Sequence, residues 1–344
     1  MPDLRDHTTL RLGGPAREWV RATSEAELVE AVVEADASGT PVLLLGGGSN
    51  LVVADAGFDG RVVEVATRGI RVDADACSGA SLTVAAGEGW DDLVAHAVGQ
   101  GWTGVEALSG IPGAVGATPI QNVGAYGQDV SQTISRVRTW DRVEQAQRSF
   151  AAPDCGFSYR DSRFKADPDR YVVLDVTFQL GLGDLGAPVG YAELARALGV
   201  AAGERAPLAQ VREAVLGLRR GKGMVLDADD HDTWSAGSFF TNPFLTPDQA
   251  AALPDAAPRW EQPDGSVKSS AAWLIENAGF ARGHVSAAAG ERVSLSTKHT
   301  LALTNRGDAT TAELLALARA VRDGVETAFG IRLVAEPVTV GCSL

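Results

Sequence analysis

The stretch from Ser109 to Gly127, SGIPGAVGATPIQNVGAYG, constrains the fold of this chain more than any other feature. Five of its nineteen residues are glycine, two are proline, and none is Lys, Arg, Asp or Glu. Glycine permits positive φ and a close approach of the backbone to a ligand, whereas proline fixes φ and removes an N–H donor. We interpret the stretch as a buried wall against a flat or anionic ligand that backbone N–H groups contact. A tightly packed crossover loop is the alternative.

A second glycine-rich segment, GGGSN at Gly46–Asn50, lies between two predicted strands. The apolar run Val42–Leu45 is typical of a buried strand, and Leu51–Val53 predicts another. Successive N–H groups in such a turn could cradle a phosphate. It is not a P-loop, because no Lys follows the glycines, and it is not a Rossmann turn, because a strand rather than a helix follows. A tight hairpin is the alternative.

Local signals predict elements in the rest of the chain. Ser24 and Glu27 have the spacing of a capping box, and Gly39 ends the helix that they begin. Thr310 and Glu313 repeat the same signal before a long helix. The final segment, Ile331–Val340, predicts a strand with an interruption.

A basic cluster lies at the C-terminal end of the predicted helix Leu208–Arg220. Arg219, Arg220 and Lys222 crowd its C-terminal end. Cations there complement the negative end of the helix dipole, which is one explanation of the cluster. An anion-binding site is the other explanation.

Composition limits the kinds of partner that the protein can bind and the cellular compartment that we expect for it. The chain has 344 residues and a net charge of −14, which argues against nucleic acid or an anionic membrane surface as a partner. Cys77, Cys155 and Cys342 are far apart and form no CxxC, so we expect neither a disulfide framework nor a metal site. No apolar run approaches the length of a membrane span, and the N-terminus has no signal-peptide pattern. We therefore expect a cytoplasmic protein.

Several stretches, in order, resemble a known family: GGGSNLVV, SGIPGAVGATPIQNVGAYG, CGFSYRDSRFK, AGSFFTNP, SSAAWLIENAGF and the late AEPV. Together they resemble the UDP-N-acetylenolpyruvoylglucosamine reductase (MurB) family. The resemblance implies an α+β fold with a two-subdomain FAD-binding region of the GGGSN type and a C-terminal α+β substrate-binding domain. It implies FAD-binding subdomains at 1–66, with the C-terminal strand 337–344, and at 67–223. The substrate domain would be 224–336.

The resemblance also implies a reaction. NADPH reduces FAD, and FAD reduces UDP-N-acetylglucosamine enolpyruvate to UDP-N-acetylmuramate. A hydride from flavin N5 adds to C3 of the enolpyruvyl group, which leaves carbanion character at C2. Arg160 of YRDS and Glu336 of the late EP pair would stabilise the enolate, and Ser238 of AGSFF would protonate C2. The chemistry is reasonable, because a guanidinium holds a carboxylate in two-point fashion and a positioned hydroxyl can deliver a proton.

Binding residues follow from the same resemblance. FAD would contact Gly46, Gly47, Gly48, Ser49, Asn50, Ser109, Ile111, Gly113, Gly116, Ala117, Pro119, Ile120 and Gly127. The substrate would contact Tyr126, Tyr159, Tyr191, Arg219, Lys222, Asn242 and His299. Tyr191 would lie on the closing loop of the longer subtype, and His299 stands where the family has a polar contact to the diphosphate. Histidine is absent from GGGSN and its flanks, so we expect noncovalent FAD.

Two other functions stay open on the sequence. An FAD-dependent sugar or alcohol oxidase or dehydrogenase of the same superfamily would share GGGSN, but it should not need AGSFFTNP with a distant Glu336. A UDP-sugar or nucleotide binder that has lost its flavin would not need the two glycine-rich segments. For the reductase we expect a monomer.

Overall fold

A computed structural model describes residues 2–344. Its eight α-helices within those residues begin and end as follows: α1 (Glu25–Ser38), α2 (Trp90–Gly99), α3 (Arg163–Ala166), α4 (Ala192–Leu198), α5 (Leu208–Gly221), α6 (Pro247–Ala252), α7 (Ala271–Asn277) and α8 (Thr311–Phe329). None of the helices in residues 2–344 is both long and apolar enough to span a membrane.

The strands in the first half of the chain are β1 (Ala16–Ala22), β2 (Val42–Leu45), β3 (Leu51–Val53), β4 (Phe58–Val65), β5 (Ile70–Asp75), β6 (Gly79–Ala85), β7 (Trp102–Thr103), β8 (Gly124–Ala125), β9 (Gln128–Asp129), β10 (Ile134–Asp141), β11 (Ala146–Ala151) and β12 (Tyr171–Leu182). Those in the second half are β13 (Phe244–Leu245), β14 (Arg259–Glu261), β15 (Val267–Ser269), β16 (Val293–Leu295), β17 (Leu303–Asn305) and β18 (Val338–Val340).

The chain divides into two compact units. The first unit contains residues 2–16, Gly48–Phe58 and Lys222–Leu344, and the second contains Arg17–Gly47 and Asp59–Gly221. The segment Gly46–Asn50 therefore passes from the second unit into the first. The division into three domains that the resemblance implies remains a prediction.

The second unit is built around an antiparallel sheet in the order β11-β10-β12-β6-β5, with β7 paired to β12. Strand β12 lies at its centre, and its first eight residues are buried, as expected for a strand covered on both faces. Trp90 of α2 packs on Phe178 of β12, with ring centroids 5.8 Å apart. A smaller sheet, β1-β4-β2, packs against α1 through Leu28 and Val32.

The first unit is held together by long-range contacts. Strand β18 pairs in parallel with β3, so Val338 lies opposite Leu51, almost the whole length of the chain away. Helix α8 packs against β16 and β17 through a row of buried leucines and valines. Asp55 accepts hydrogen bonds from the backbone N–H groups of Thr311 (2.7 Å) and Ala312 (3.1 Å) at the start of α8. This carboxylate stabilises the positive end of the helix.

Most of the predicted helix ends are confirmed. Thr310 and Glu313 form a complete capping box, and Gly39 and Gly330 end α1 and α8 in the left-handed conformation. The box predicted for Ser24 is only half right. Ser24 caps α1, but the Glu27 carboxylate accepts from the backbone N–H (2.7 Å) and hydroxyl (2.9 Å) of Thr23, one residue earlier.

One strand prediction needs correction, and one alternative is excluded. The strand predicted over Ile331–Val340 is confined to Val338–Val340, because residues before it bend to pair with another segment through the bridge between Phe240 and Ala335. The tight hairpin considered for Gly46–Asn50 does not form, since β2 pairs with β4 and β3 pairs with β18.

Candidate active site

The two glycine-rich segments meet in the second unit. A Cβ on Gly47 would lie only 2.7 Å from Gly113 Cα, and one on Gly46 would lie 3.2 Å from Ala114 Cβ. Side chains would therefore separate the two backbones. Gly46, Gly47 and Ala117 are exposed, Ile111, Gly113 and Ile120 are partly exposed, and Ser109, Gly116 and Pro119 are buried. The result is a surface made largely of backbone.

The rest of the GGGSN segment lies in the first unit. Gly48 has a φ of +60°, and a Cβ there would lie 1.9 Å from the carbonyl oxygen of His7, so only glycine fits. Asn50 accepts a backbone hydrogen bond from Val338 (2.9 Å), and its side-chain amide donates to the carbonyl of Glu336 (3.4 Å). These bonds place Asn50 and Glu336 side by side.

Asp91 of α2 anchors the start of the Ser109–Gly127 stretch. Its carboxylate accepts from the backbone N–H of Gly110 (2.6 Å) and from both terminal nitrogens of Arg212 in α5 (2.6 and 2.8 Å). Burial opposes the negative charge, but the hydrogen bonds from Arg212 and Gly110 outweigh it and hold the pKa of Asp91 below its usual value. Asp91 thus joins two helices and the glycine-rich stretch.

Glu106 anchors the same stretch from beneath. It is 1% exposed, and its carboxylate accepts from the backbone N–H groups of Gly104 (2.6 Å) and Ala187 (2.7 Å) and from the side-chain amide of Gln128 (2.9 Å). The Gln128 carbonyl in turn accepts from the Ala107 N–H (2.7 Å). Glu106 therefore connects the β8–β9 hairpin to the segment that leads to Tyr191.

Arg160 lies on a loop that is docked against the glycine-rich stretch. Its guanidinium donates to the carbonyls of Gly124 (2.6 Å) and Asn122 (3.3 Å). The Ser162 hydroxyl donates to the Ile120 carbonyl (2.7 Å). An arginine guanidinium is positively charged and carries five N–H donors in a planar fork, so it is a group of the kind that holds an anion. Its neighbour Tyr159 is 36% exposed and lies beneath the guanidinium, with the charge 5.5 Å from the ring centroid.

Left-handed backbone conformations concentrate at the Arg160 loop and at the part of the glycine-rich stretch on which it docks. Within residues 2–344, six non-glycine residues have positive φ. Three of them lie here: Asn122 (45°), Tyr126 (51°) and Arg160 (54°). Such conformations cost energy and persist where the surroundings fix them, often at functional sites. Asn122 is fixed by its own side chain, which donates to the Ser158 carbonyl (3.0 Å) and accepts from the Ser131 N–H (3.1 Å).

Three predicted substrate residues come together in the second unit. Tyr126 of the β8–β9 turn and Tyr191, which precedes α4, pack edge to face with ring centroids 5.6 Å apart. Burial raises the pKa of Tyr126 to about 12, against the opposing influence of the nearby Arg219 charge. Burial likewise lowers the pKa of Arg219 to about 10, so the guanidinium stays charged at pH 7. Tyr191 is 49% exposed, which suits a residue on a loop.

Ser238 and Glu336 come together in the first unit. The carbonyl of Phe239, the residue after Ser238, accepts a hydrogen bond from the Glu336 N–H (2.8 Å). The bridge between Phe240 and Ala335 and the bond from Thr241 N–H to the Val334 carbonyl (3.0 Å) continue this pairing. Both Ser238 and Glu336 are partly exposed.

His299 also meets Ser238. Its Nε2 lies 3.5 Å from Ser238 Oγ. Of the other predicted substrate residues, Asn242 uses its side-chain oxygen to accept from the Ala271 N–H (3.0 Å) at the start of α7. Lys222 is partly exposed and directly follows the end of α5, and Gly127 is exposed in the β8–β9 turn.

Sequence reasoning missed Asp91, Arg212 and Glu106 as supports of this site. From the sequence, Asp91 is an acid in the first turn of a helix, where it complements the helix dipole. Asp91 and Arg212 are 121 residues apart, and no local pattern connects them. The sequence does single out Glu106, because it is an isolated acid three residues before a glycine-rich stretch that has no charged residue.

The arrangement fits FAD. Exposed glycine backbone at Gly46 and Gly47, packed directly on Gly113, can present N–H groups to phosphate oxygens without side chains in the way. The neutral, partly exposed Ile111 and Ile120 suit the face of a flat ring. These residues could hold the pyrophosphate and the flavin, respectively.

Comparison with known proteins agrees with this fit. The profile of an FAD binding domain matches residues 16–145, and that of the UDP-N-acetylenolpyruvoylglucosamine reductase C-terminal domain matches residues 229–340. In fold, the chain is similar to a solved structure of UDP-N-acetylenolpyruvylglucosamine reductase (MurB) from Thermus caldophilus. The TM-score is 0.67 and the identity 24%, over 98% of this chain and 97% of that one. The predicted α+β fold, with its FAD-binding region and C-terminal domain, is confirmed.

Two curated relatives are similar over nearly the whole chain. The UDP-N-acetylenolpyruvoylglucosamine reductase of Cutibacterium acnes is 59% identical over 98% of this chain and 89% of its own length. The protein of the same name from Streptomyces coelicolor is 58% identical over 98% of this chain and 88% of its own length. Identity of this extent leaves no ambiguity, and this chain belongs to the UDP-N-acetylenolpyruvoylglucosamine reductase family of oxidoreductases.

Proposed function

We propose that the protein reduces UDP-N-acetylglucosamine enolpyruvate to UDP-N-acetylmuramate, a step of peptidoglycan precursor synthesis, with FAD as cofactor and NADPH as reductant. Family membership supports the reaction class. The observation that carries the proposal is the hydrogen bond from the Glu336 N–H to the carbonyl of Phe239, which joins Glu336 to the residue that follows Ser238, far away in the sequence. An FAD-binding fold alone would not require this pairing.

Bound FAD, once reduced by NADPH, would supply the hydride that adds to C3 of the enolpyruvyl group. Charge then develops on the substrate carboxylate and must be stabilised. Arg160 is suited to this role because its guanidinium is held by two backbone carbonyls and is always charged. Those carbonyls fix its orientation before substrate arrives.

Ser238 is assigned the delivery of a proton to C2, and Glu336 the support of the enolate. A serine hydroxyl is a weak acid, so it needs a strongly basic acceptor and neighbours that stabilise the charge left behind. The C2 carbanion is such an acceptor. Glu336, fixed by its backbone bond to Phe239, could donate a hydrogen bond to the enolate when protonated.

The family resemblance assigns the UDP-sugar to polar and aromatic residues. Tyr126, Tyr191 and Arg219 form one cluster, and the Arg219 charge suits a phosphate. Lys222 and Asn242 are the candidates for the diphosphate and the nucleotide. NADPH would use the same pocket in turn, since the chain carries no separate nicotinamide-binding fingerprint.

The compartment and the association state are also proposals. We propose a cytoplasmic monomer with noncovalent FAD. Cys77, Cys155 and Cys342 are all free thiols, which is consistent with a reducing compartment.

A product assay tests the proposed function. Purified protein, supplied with NADPH and UDP-N-acetylglucosamine enolpyruvate, should convert the substrate to a product that is two hydrogens heavier. The runner-up, an FAD-dependent sugar or alcohol oxidase, would instead leave this substrate unchanged and form hydrogen peroxide from an alcohol in air. Protein that arrives without flavin and cannot be reconstituted with FAD would indicate a nucleotide binder.

A further inference from the structure

Ser238 lies next to an imidazole. The Nε2 atom of His299 is 3.5 Å from Ser238 Oγ. The family resemblance assigns His299 to the substrate diphosphate, and that role does not call for a contact with the serine. The geometry raises a different possibility, because an imidazole can give and take back a proton near neutral pH.

The backbone around His299 is closely fixed. The hydroxyl of the buried Ser296 accepts from the N–H groups of Lys298 (3.0 Å) and His299 (3.2 Å), and the His299 carbonyl accepts from the Ala302 N–H (3.1 Å). The neighbouring side chains have other partners: Thr297 with Asp232 (2.5 Å), Lys298 with Asp230 (2.5 Å) and Thr300 with Glu276 (2.5 Å). The turn thus holds His299 while its neighbours face acidic groups.

Ser238 is fixed to the same turn. The Phe239 N–H donates to the Leu301 carbonyl (2.7 Å), two residues after His299, and the Phe239 carbonyl accepts from Glu336. The residues beside Ser238 and His299 are therefore joined by a backbone hydrogen bond. The proximity of the two side chains is a consequence of this framework.

We propose that His299 acts through Ser238 by returning a proton to it; this inference rests on the proposed function. When the Ser238 O–H bond breaks, its proton forms the C2–H bond of the product and its electron pair stays on Oγ. In the same step the Nε2–H bond of the His299 imidazolium breaks, its proton goes to Oγ, and its electron pair stays on Nε2, so proton return is coupled to the reaction that reoxidises the flavin. Water then reprotonates the imidazole, and the hydroxide that remains passes to the solvent. No electron leaves or enters the substrate in these transfers.

A separation of 3.5 Å is long for a hydrogen bond but is common for catalytic pairs before the substrate binds. The positive imidazolium would also stabilise the serine alkoxide as it forms. That would reduce the cost of using a serine as the acid.

The test separates proton return from diphosphate binding. In His299→Gln, the dissociation constant for UDP-N-acetylglucosamine enolpyruvate, measured by titration of the oxidised flavin spectrum, should stay within about twofold. The rate at which saturating substrate reoxidises the anaerobically reduced flavin should fall by at least about tenfold. Reduction of the flavin by NADPH should be unchanged. His284→Gln, which removes a histidine that packs on Phe280 in the same unit, should change none of the three.

Other outcomes would overturn the inference. A weaker affinity with an unchanged rate at saturation would make His299 a substrate contact, and no change in either would remove it from the reaction. If both change, free imidazole added to His299→Ala decides: a restored reoxidation rate supports proton return, and no restoration refutes it. Wild-type flavin that the substrate does not reoxidise at all would refute the proposed function itself, and the inference with it.

Discussion

At the scale of single residues, Ser238 is distinguished from its neighbours by position rather than by type. Ser235, three residues earlier, is buried and uses its hydroxyl to accept from the Gly237 N–H (3.2 Å). Ser238 is partly exposed, contacts His299, and adjoins the residue that binds the Glu336 backbone. The two serines therefore predict different consequences on substitution.

Ser238→Ala should slow reoxidation of reduced flavin by the enolpyruvyl substrate by about 10²- to 10⁴-fold, because it removes the proton donor. Substrate affinity should change little. Ser235→Ala is the matched control: it should lower the free energy of unfolding by about 1 kcal/mol and leave the reoxidation rate intact. Stopped-flow absorbance and urea unfolding measure the two effects. Equal loss of rate in both variants would count against the role of Ser238.

Gly124 tests the positioning of Arg160. A Cβ there would lie 2.8 Å from Asp129 Cβ, 2.9 Å from the Gln128 carbonyl oxygen and 3.2 Å from Arg160 Nη1. Gly124→Ala should therefore displace the guanidinium and cost about 1–3 kcal/mol of stability. We expect turnover to fall by more than the loss of folded protein explains. Gly217→Ala, on the α5 surface with no atom near the added Cβ, should leave turnover unchanged. Full turnover in well-folded Gly124→Ala would contradict the assignment.

At the scale of elements, buried or half-buried carboxylates join the helices to the glycine-rich stretch. Because the pKa of Asp91 is depressed in the folded state, its contribution to stability is complete above its ordinary value of 3.8 and is lost as the pH falls through the lower folded value. The side chain is 38% exposed, so solvent screening limits this contribution to about 1 kcal/mol.

Asp91→Asn should lower the free energy of unfolding by about that amount from pH 7 to pH 5, and the difference from wild type should shrink below about pH 4. Urea unfolding across this range measures it. Asp59→Asn is the control. Asp59 pairs with Arg17 but its side chain is 90% exposed, so the substitution should change the free energy of unfolding little. A difference that does not depend on pH would show that the charge of Asp91 is not what stabilises the junction.

Glu106 makes a sharper prediction at the same scale. Its carboxylate accepts three hydrogen bonds, so the amide of Glu106→Gln must turn a donor toward another donor. We expect a loss of about 1–3 kcal/mol and faster hydrogen exchange in residues 184–191, which Ala187 ties to Glu106. Adding Gln128→Glu should recover part of the loss, because one donor–acceptor pair is reversed. Unchanged exchange in 184–191 would refute the link.

At the scale of the whole molecule, the sequence predicts features that depend on neighbouring residues better than features that depend on distant segments. The caps at Thr310 and Gly39 depend on residues within one turn, and the sequence predicts both correctly. The pairing of β18 with β3 and of Phe240 with Ala335 depends on segments far apart, so local pattern overestimated the last strand. The extended appearance of 331–337 came from pairing with a loop and not from a ladder.

The candidate site shows the same limit. Glycine content marked both segments of the FAD-binding surface, because close backbone approach leaves a compositional signature. The sequence around Ser238 and around Arg160 is ordinary, and only the family resemblance singled these residues out. The bond between Asp91 and Arg212 and the contact between His299 and Ser238 join residues far apart in the sequence, so only the folded chain shows them.

The central claim is that this protein reduces an enolpyruvyl UDP-sugar, and one anaerobic turnover tests it most directly. The flavin of the purified holoenzyme is photoreduced without oxygen, mixed with UDP-N-acetylglucosamine enolpyruvate, and followed by its absorbance. We predict rapid reoxidation with one equivalent of UDP-N-acetylmuramate formed per flavin. Flavin that stays reduced until oxygen is admitted, with the substrate recovered intact, would contradict the account.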